Sequence, residues 1–148
     1  MITDIKKAIA KAINTEFNSD VEDAYRIYTE DISQDLIEPC FSIVHLLSTN
    51  ESLLPPRYMR NYSFDIHYFP KDNVKVKEEC EEVAERLFLC LELINFVDNT
   101  YGGIKMNYEV VEGVLHFFVS YNVIVKKVIT PVESMETIET NVGLKDED

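Results

Sequence analysis

Residues 101–128, YGGIKMNYEVVEGVLHFFVSYNVIVKKV, constrain the fold more than any other stretch, because they read as one long β-hairpin. On the first arm Ile104, Met106, Tyr108 and Val110 alternate with Lys105, Asn107 and Glu109. On the second arm Leu115, Phe117, Val119, Tyr121, Val123 and Val125 share one face, and His116, Ser120, Asn122 and Lys126 share the other. Strict period-2 alternation is what a sheet with one buried face requires, and Glu112-Gly113 supplies a tight reversal. No catalytic motif interrupts either arm, which points to a structural or binding protein.

The remaining elements follow from periodicity. Ile2, Ile5, Ile9, Ala12, Ile13 and Phe17 recur at helical spacing, predicting a helix over 3–17 with Thr3 as its cap. A short strand is expected within 20–28. The run CFSIVHLLST (40–49) predicts a strand covered on both faces, broken by Leu53-Leu54-Pro55-Pro56. A further strand over 58–69 places Tyr58, Tyr62, Phe64, Ile66 and Tyr68 on one face and Asn61, Ser63, Asp65 and His67 on the other. After a turn at Pro70-Lys71-Asp72-Asn73, a second helix is expected over 74–94. Its apolar stripe is Val76, Cys80, Val83, Ala84, Leu87, Leu91 and Ile94, and Glu82 and Arg86 are spaced for an i,i+4 pair. With a short strand near Phe96, the order is α-β-β-β-α-(β)-β-β. That order predicts a single α+β domain over 1–130, a largely antiparallel sheet packed against two main helices. Residues 131–148 form an acidic C-terminal tail.

The net charge, 14 − 27 = −13, argues against ordinary nucleic-acid binding and against anionic membranes. No apolar run approaches the ~20 residues that span a bilayer. The N-terminal stretch lacks the apolar core of a signal peptide, and three cysteines (Cys40, Cys80, Cys90) fit a reducing compartment, so manufacture in the cytoplasm is expected. In the tail, Glu133, Glu136, Glu139, Asp146, Glu147 and Asp148 stand against Lys145 alone. This acidity either aids solubility or keeps DNA from adhering where DNA must pass.

Chemical candidates are few. His45, His67 and His116 each sit in a predicted strand without the close spacing of a ligand motif. A metal site would require separate strands to align them, so none is expected. Cys80 and Cys90 lie too far apart on one helix to share an ion and read as buried thiols. The run Glu78, Glu79, Glu81, Glu82 and Glu85 reads as a solvated helical face. Tyr101-Gly102-Gly103 lacks the following helix of a phosphate loop and reads as a turn into a strand. No catalytic residue and no cofactor are expected.

The strand and turn RYMRNYSFDIHYFPKD (57–72), the acidic helix after it, and KMNYEVVEGVLHFFVSYNV (105–123) together resemble the tail terminator, or tail completion, proteins of siphophages and myophages. The versions of Gram-positive phages and defective prophages are the most similar. The resemblance spans roughly residues 1–128 in element order and rests on hydrophobic strand patterns. It implies an α+β domain like that of the lambda terminator. It also implies a hexameric ring that caps the last ring of tail-tube protein, stops polymerisation and meets the head connector. The expected partners are further copies of the chain, the tail tube protein and the head-tail connector, and the expected location is the host cytoplasm and then the virion tail. Leu53, Leu54, Val132, Met135 and Ile138 are the candidate assembly-interface residues. The alternative is a cytoplasmic small-molecule or peptide-binding α+β domain without catalysis, using a pocket between sheet and helices.

Overall fold

The computed structural model describes residues 1–30, 36–71 and 74–128. The elements are α1 (Ile2–Phe17), β1 (Arg26–Tyr28), β2 (Cys40–Ser52), β3 (Arg57–Phe69), α2 (Val76–Cys90), β4 (Leu93–Phe96), β5 (Asn99–Val111) and β6 (Val114–Lys126). The strands form one six-stranded sheet in the order β1-β2-β3-β6-β5-β4. Every pairing is antiparallel except the short parallel one between β1 and β2. This is the expected α+β architecture. Its central pair, β3 and β6, is far apart in sequence, and α2, β4 and β5 are threaded between them.

Both helices bury apolar stripes on the same face of the sheet. On α1 the fully buried residues are Ile5, Ile9 and Ile13, one every four positions, followed by Phe17. On α2 they are Cys80, Val83, Ala84 and Leu87. They meet Tyr62, Phe64, Ile66 and Tyr68 from β3 and Leu115, Phe117, Val119, Tyr121 and Val123 from β6. Each fully buried large apolar side chain here contributes about 1.5–3 kcal/mol relative to exposure.

Three local expectations for the helices are corrected. Thr3 does not cap α1: the helix starts at Ile2, and the Ile5 amide donates to Met1 O at 3.1 Å. The second helix stops at Cys90, not 94. Leu91 and Ile94 remain buried, but Leu91 is the C-cap and Ile94 already belongs to β4, where the period changes to 2. Arg86 does not pair with Glu82. Its guanidinium donates to Glu16 Oε2 and to the Glu16 carbonyl, both at 2.9 Å, and lies 4.0 Å over the Phe17 ring. A partner on α1 offers a carboxylate, a carbonyl and an aromatic face together, more than one exposed i,i+4 glutamate provides.

The β5–β6 hairpin turns at Glu112 (φ 50°) and Gly113 (φ 78°), the paired positive φ values of a tight primed turn. Two bulges alter the predicted alternation. One lies between Ile104 and Asn107, with Lys105 at φ 53°. Met106, Tyr108 and Val110 pack against the core as expected, but Ile104 pairs with Ser120 and so falls on the opposite face. Tyr101-Gly102-Gly103 lies inside β5 and is not a turn into it. A Cβ on Gly103 would stand 2.6 Å from the Leu91 carbonyl oxygen, so only glycine lets the backbones approach this closely. The second bulge, between His45 and Leu47, marks where β2 leaves the core. Cys40–Ile43 are buried, whereas residues 46–52 are exposed, so this strand is not covered on both faces along its length.

Candidate functional site

Away from the helices, the sheet presents a second face whose rows are set by the strand register. One row is Ser42, His67, His116 and Glu109 across β2, β3, β6 and β5. The next is Val44, Asp65, Phe118 and Asn107, and then Leu47, Ser63, Ser120 and Ile104. Thr49, Asn61 and Asn122 follow, and Glu51, Met59 and Ile124 close the series. Side chains in register on one face stand close enough to interact, and on β3 and β6 they do.

The polar residues form a directed chain. Asn61 Nδ2 donates to Asn122 Oδ1 at 2.8 Å, and the Ser63 hydroxyl donates to Asn61 Oδ1 at 3.0 Å. Ser63 and Ser120 are 2.8 Å apart. A hydroxyl carries one proton, and that of Ser63 is committed to Asn61, so Ser120 donates to Ser63.

Asp65 follows on the same face of β3 and is only 6% exposed. His67 Nε2 and His116 Nδ1 both donate to its Oδ2, at 2.9 and 3.0 Å. The two imidazole rings meet edge to face with centroids 4.5 Å apart. Asp65 Oδ1 is buried and, among the described residues, has no hydrogen-bond partner. The alignment of separate strands that the histidine spacing did not suggest therefore occurs for His67 and His116. His45 does not join them; its Nε2 lies 2.8 Å from Ser48 Oγ. Asp65 was missed as a functional candidate. The available signal was Asp-x-His on one face of a strand, combined with a histidine on the outward face of β6, and the missing information was which strands pair.

A cavity of about 490 Å³ opens between the end of β3 and α2, lined by Tyr25, Tyr68, Lys71, Glu79 and Arg86 among others. Three of its polar side chains, those of Tyr68, Glu79 and Arg86, are already engaged. Glu79 Oε2 accepts from the Tyr68 hydroxyl and from the Lys71 amide, and Arg86 is held by Glu16. Glu79 thus fastens α2 to the end of β3 and does not lie on a purely solvated face. Burial pushes the Tyr68 hydroxyl well above its ordinary range, with the Glu79 carboxylate adding to it. Cys40, Cys80 and Cys90 are free thiols, each raised chiefly by burial, to about 11, 11 and 12. Such thiols are poor nucleophiles near neutral pH.

The third candidate surface is the projecting end of the β2–β3 hairpin. Leu53 and Leu54 form its tip, 38% and 80% exposed, and the turn is closed by Leu53 N to Arg57 O at 3.0 Å and Arg57 N to Leu54 O at 3.1 Å. Leu46, Leu47 and Ile124 are also more than half exposed. Strand β1 pairs with β2 only at Cys40–Ser42, so among the described residues the outer side of β2 beyond that point has no strand partner. Val132, Met135 and Ile138 lie outside the described residues. Among those described, no helix is long and apolar enough to cross a membrane.

A family model described as phage tail terminator protein matches residues 4–133, a span that runs from the first turn of α1 through β6. The chain belongs to the phage tail terminator family. No curated protein matches it. Family membership assigns a structural role in tail completion and a place in the virion tail. It also gives a context for the exposed leucines and for the β2 edge that lacks a strand partner among the described residues, because a tail-completion protein works in contact with other tail and head components.

Proposed function

We propose that this chain caps the completed tail tube as a six-membered ring, halts tube polymerisation, and offers its other rim to the head-tail connector. Membership of the tail terminator family is the observation that carries this reading. The exposed apolar residues on the β2–β3 hairpin and the outer side of β2, which beyond Ser42 has no strand partner among the described residues, support it, since both are features that a neighbouring subunit can cover. The leucine tip, Leu53 and Leu54, is the first contact we assign to assembly. Residues 131–148 act as a separate acidic tail whose Val132, Met135 and Ile138 dock on a neighbouring subunit or tube ring. A net charge of −13 suits a conduit through which DNA passes without binding. We place the protein among the terminators of Gram-positive phages and prophages, with a fold like that of the lambda terminator, assembled in the host cytoplasm.

The test is capping in vitro. Purified chain is added to polymerising tail-tube protein and tube lengths are measured by electron microscopy. Full-length protein is expected to stop growth and leave a ring density at one end. Replacing Leu53 and Leu54 together by Ser is expected to abolish capping while the melting temperature stays within a few degrees. Deleting residues 131–148 is expected to preserve the fold and weaken capping. Tubes that grow unchecked in the presence of the wild-type chain would refute the proposal. The alternative, a ligand-binding domain, is not favoured: in the cavity beside Tyr68, the Tyr68 hydroxyl and Glu79 bond each other and Arg86 is drawn to Glu16 on α1.

A further inference from the structure

We infer that Asp65, His67 and His116 form a binding site for a zinc-class divalent metal ion. The three side chains each offer one ligand atom, and these atoms lie within 4.8 Å of one another. Two imidazole nitrogens and a carboxylate oxygen are a donor set suited to zinc, with bonds of about 2.0–2.2 Å and a tetrahedral preference. A tetrahedral ion with such bonds holds its ligand atoms roughly 3.3 Å apart. The observed separations from Asp65 Oδ2, 2.9 Å to His67 Nε2 and 3.0 Å to His116 Nδ1, fall a few tenths of an ångström short of that. The two imidazole nitrogens lie within 4.8 Å of each other, so side-chain rotations that draw them together and open their distances to Oδ2 would seat an ion.

Two further observations separate this cluster from a chance meeting of polar residues. Asp65 is more than nine-tenths buried, flanked in register by Val44 and Phe118, so its carboxylate is withdrawn from water. Its Oδ1 is buried and has no hydrogen-bond partner among the described residues, an arrangement that buried polar atoms rarely tolerate unless something unseen satisfies them. A cation neutralises the buried charge and can engage the second oxygen. The ion would also join β3 to β6, strands paired across a long stretch of sequence, at the middle of the sheet. Three protein ligands leave a fourth position open. Glu109 stands opposite His116 on β5, on the same face of the sheet. The inference is independent of the role in tail assembly.

The experiment uses untagged full-length protein stripped with EDTA and titrated with zinc chloride by calorimetry. One zinc per chain is expected, with a rise in melting temperature. Cobalt(II) in place of zinc should give the intense visible absorption of a four-coordinate site. His67→Asn and His116→Asn are each expected to weaken zinc binding by at least about 100-fold, more than the loss of a mere outer partner. His45→Asn, which shares none of the cluster's hydrogen bonds, should bind as the wild type does. Failure of the folded wild-type protein to bind zinc at micromolar concentration would overturn the inference. So would undiminished binding in both histidine variants, or loss of binding in His45→Asn. Asp65→Asn is a less secure variant because it alters a buried charge; the wild-type titration and cobalt spectrum decide without it.

Discussion

The two faces of the β3–β6 pair carry different kinds of information, although they are built from alternate residues of the same strands. The helix-covered face, with Phe64, Ile66, Phe117 and Tyr121, is fully buried and is apolar apart from hydroxyl groups such as that of Tyr121, which donates to the Leu91 carbonyl at 2.8 Å. The other face holds a chain of serines and asparagines and a carboxylate shared by two histidines. Apolar packing is strong but tolerant of register, since a large side chain can find several neighbours. Hydrogen-bonded rows contribute less, yet each row closes only when the correct residues stand opposite one another. In this domain stability is concentrated on one face and specificity of pairing on the other.

The largest test of that division compares neighbouring residues. Phe117→Ala is expected to cost about 3–5 kcal/mol, measured by urea denaturation, because it empties a fully buried site against Phe88 and the sheet core. A loss below ~1 kcal/mol would show that the helix face does not carry the stability assigned to it. Gly103→Ala follows. The added methyl would stand 2.6 Å from the Leu91 carbonyl and 3.1 Å from Val119 Cγ2, and the first obstacle is backbone that cannot rotate away. The expected cost is about 1–3 kcal/mol, the usual range for overpacking. An unchanged melting curve would mean that β4 and β5 separate easily and belong to the less stable edge of the sheet.

How far these faces could be read from residues alone depends on the range of the interaction. Period-2 alternation correctly divided β6 into Leu115, Phe117, Val119, Tyr121 and Val123 inward and His116, Ser120 and Asn122 outward, and divided β3 likewise. The bulges defeated the same rule locally. Ile104 has the hydrophobicity of a core residue, but one extra residue before Asn107 turns it away, and nothing in its side chain reveals this. Pairing was beyond local pattern altogether. Asp65, His67 and His116 become neighbours only because β6 returns to lie beside β3, and Arg86 reaches Glu16 only because α1 and α2 pack side by side. A local pattern can nominate a face; it cannot nominate the partner strand.

A smaller effect should sharpen the comparison on the polar face. Ser63→Ala and Ser120→Ala each leave one hydroxyl without its cross-strand partner, so each is expected to cost about 0.5–1.5 kcal/mol. The double variant should cost less than the sum, because removing both hydroxyls leaves neither unsatisfied. The direction of the chain adds a distinction. Ser63 both accepts from Ser120 and donates to Asn61, whereas Ser120 contributes one donor here, so Ser63→Ala should be the costlier single change. Strictly additive costs in a double-mutant cycle would show that the polar row does not act as a unit.

The smallest effect on stability is expected where the effect on assembly is greatest. Leu54 is 80% exposed at the tip of the β2–β3 hairpin, and the turn that holds it is closed by main-chain hydrogen bonds. Leu54→Ser should therefore change the free energy of unfolding by less than about 0.5 kcal/mol, the range for surface positions. Leu53, half as exposed, retains some contact within the hairpin and should cost slightly more. If Leu54 fills an apolar site on a neighbouring subunit or on the tube, the same substitution weakens that contact by roughly the transfer free energy of a leucine side chain, about 1.5–3 kcal/mol. At one such contact per subunit the penalty is repeated around a ring, so a change almost invisible to thermal unfolding would be severe in a capping assay. Equal capping by the Leu54→Ser and wild-type chains would move the interface away from the hairpin tip. The exposed Leu46 and Leu47, on the part of β2 whose outer side has no strand partner among the described residues, would then be the next surface to test.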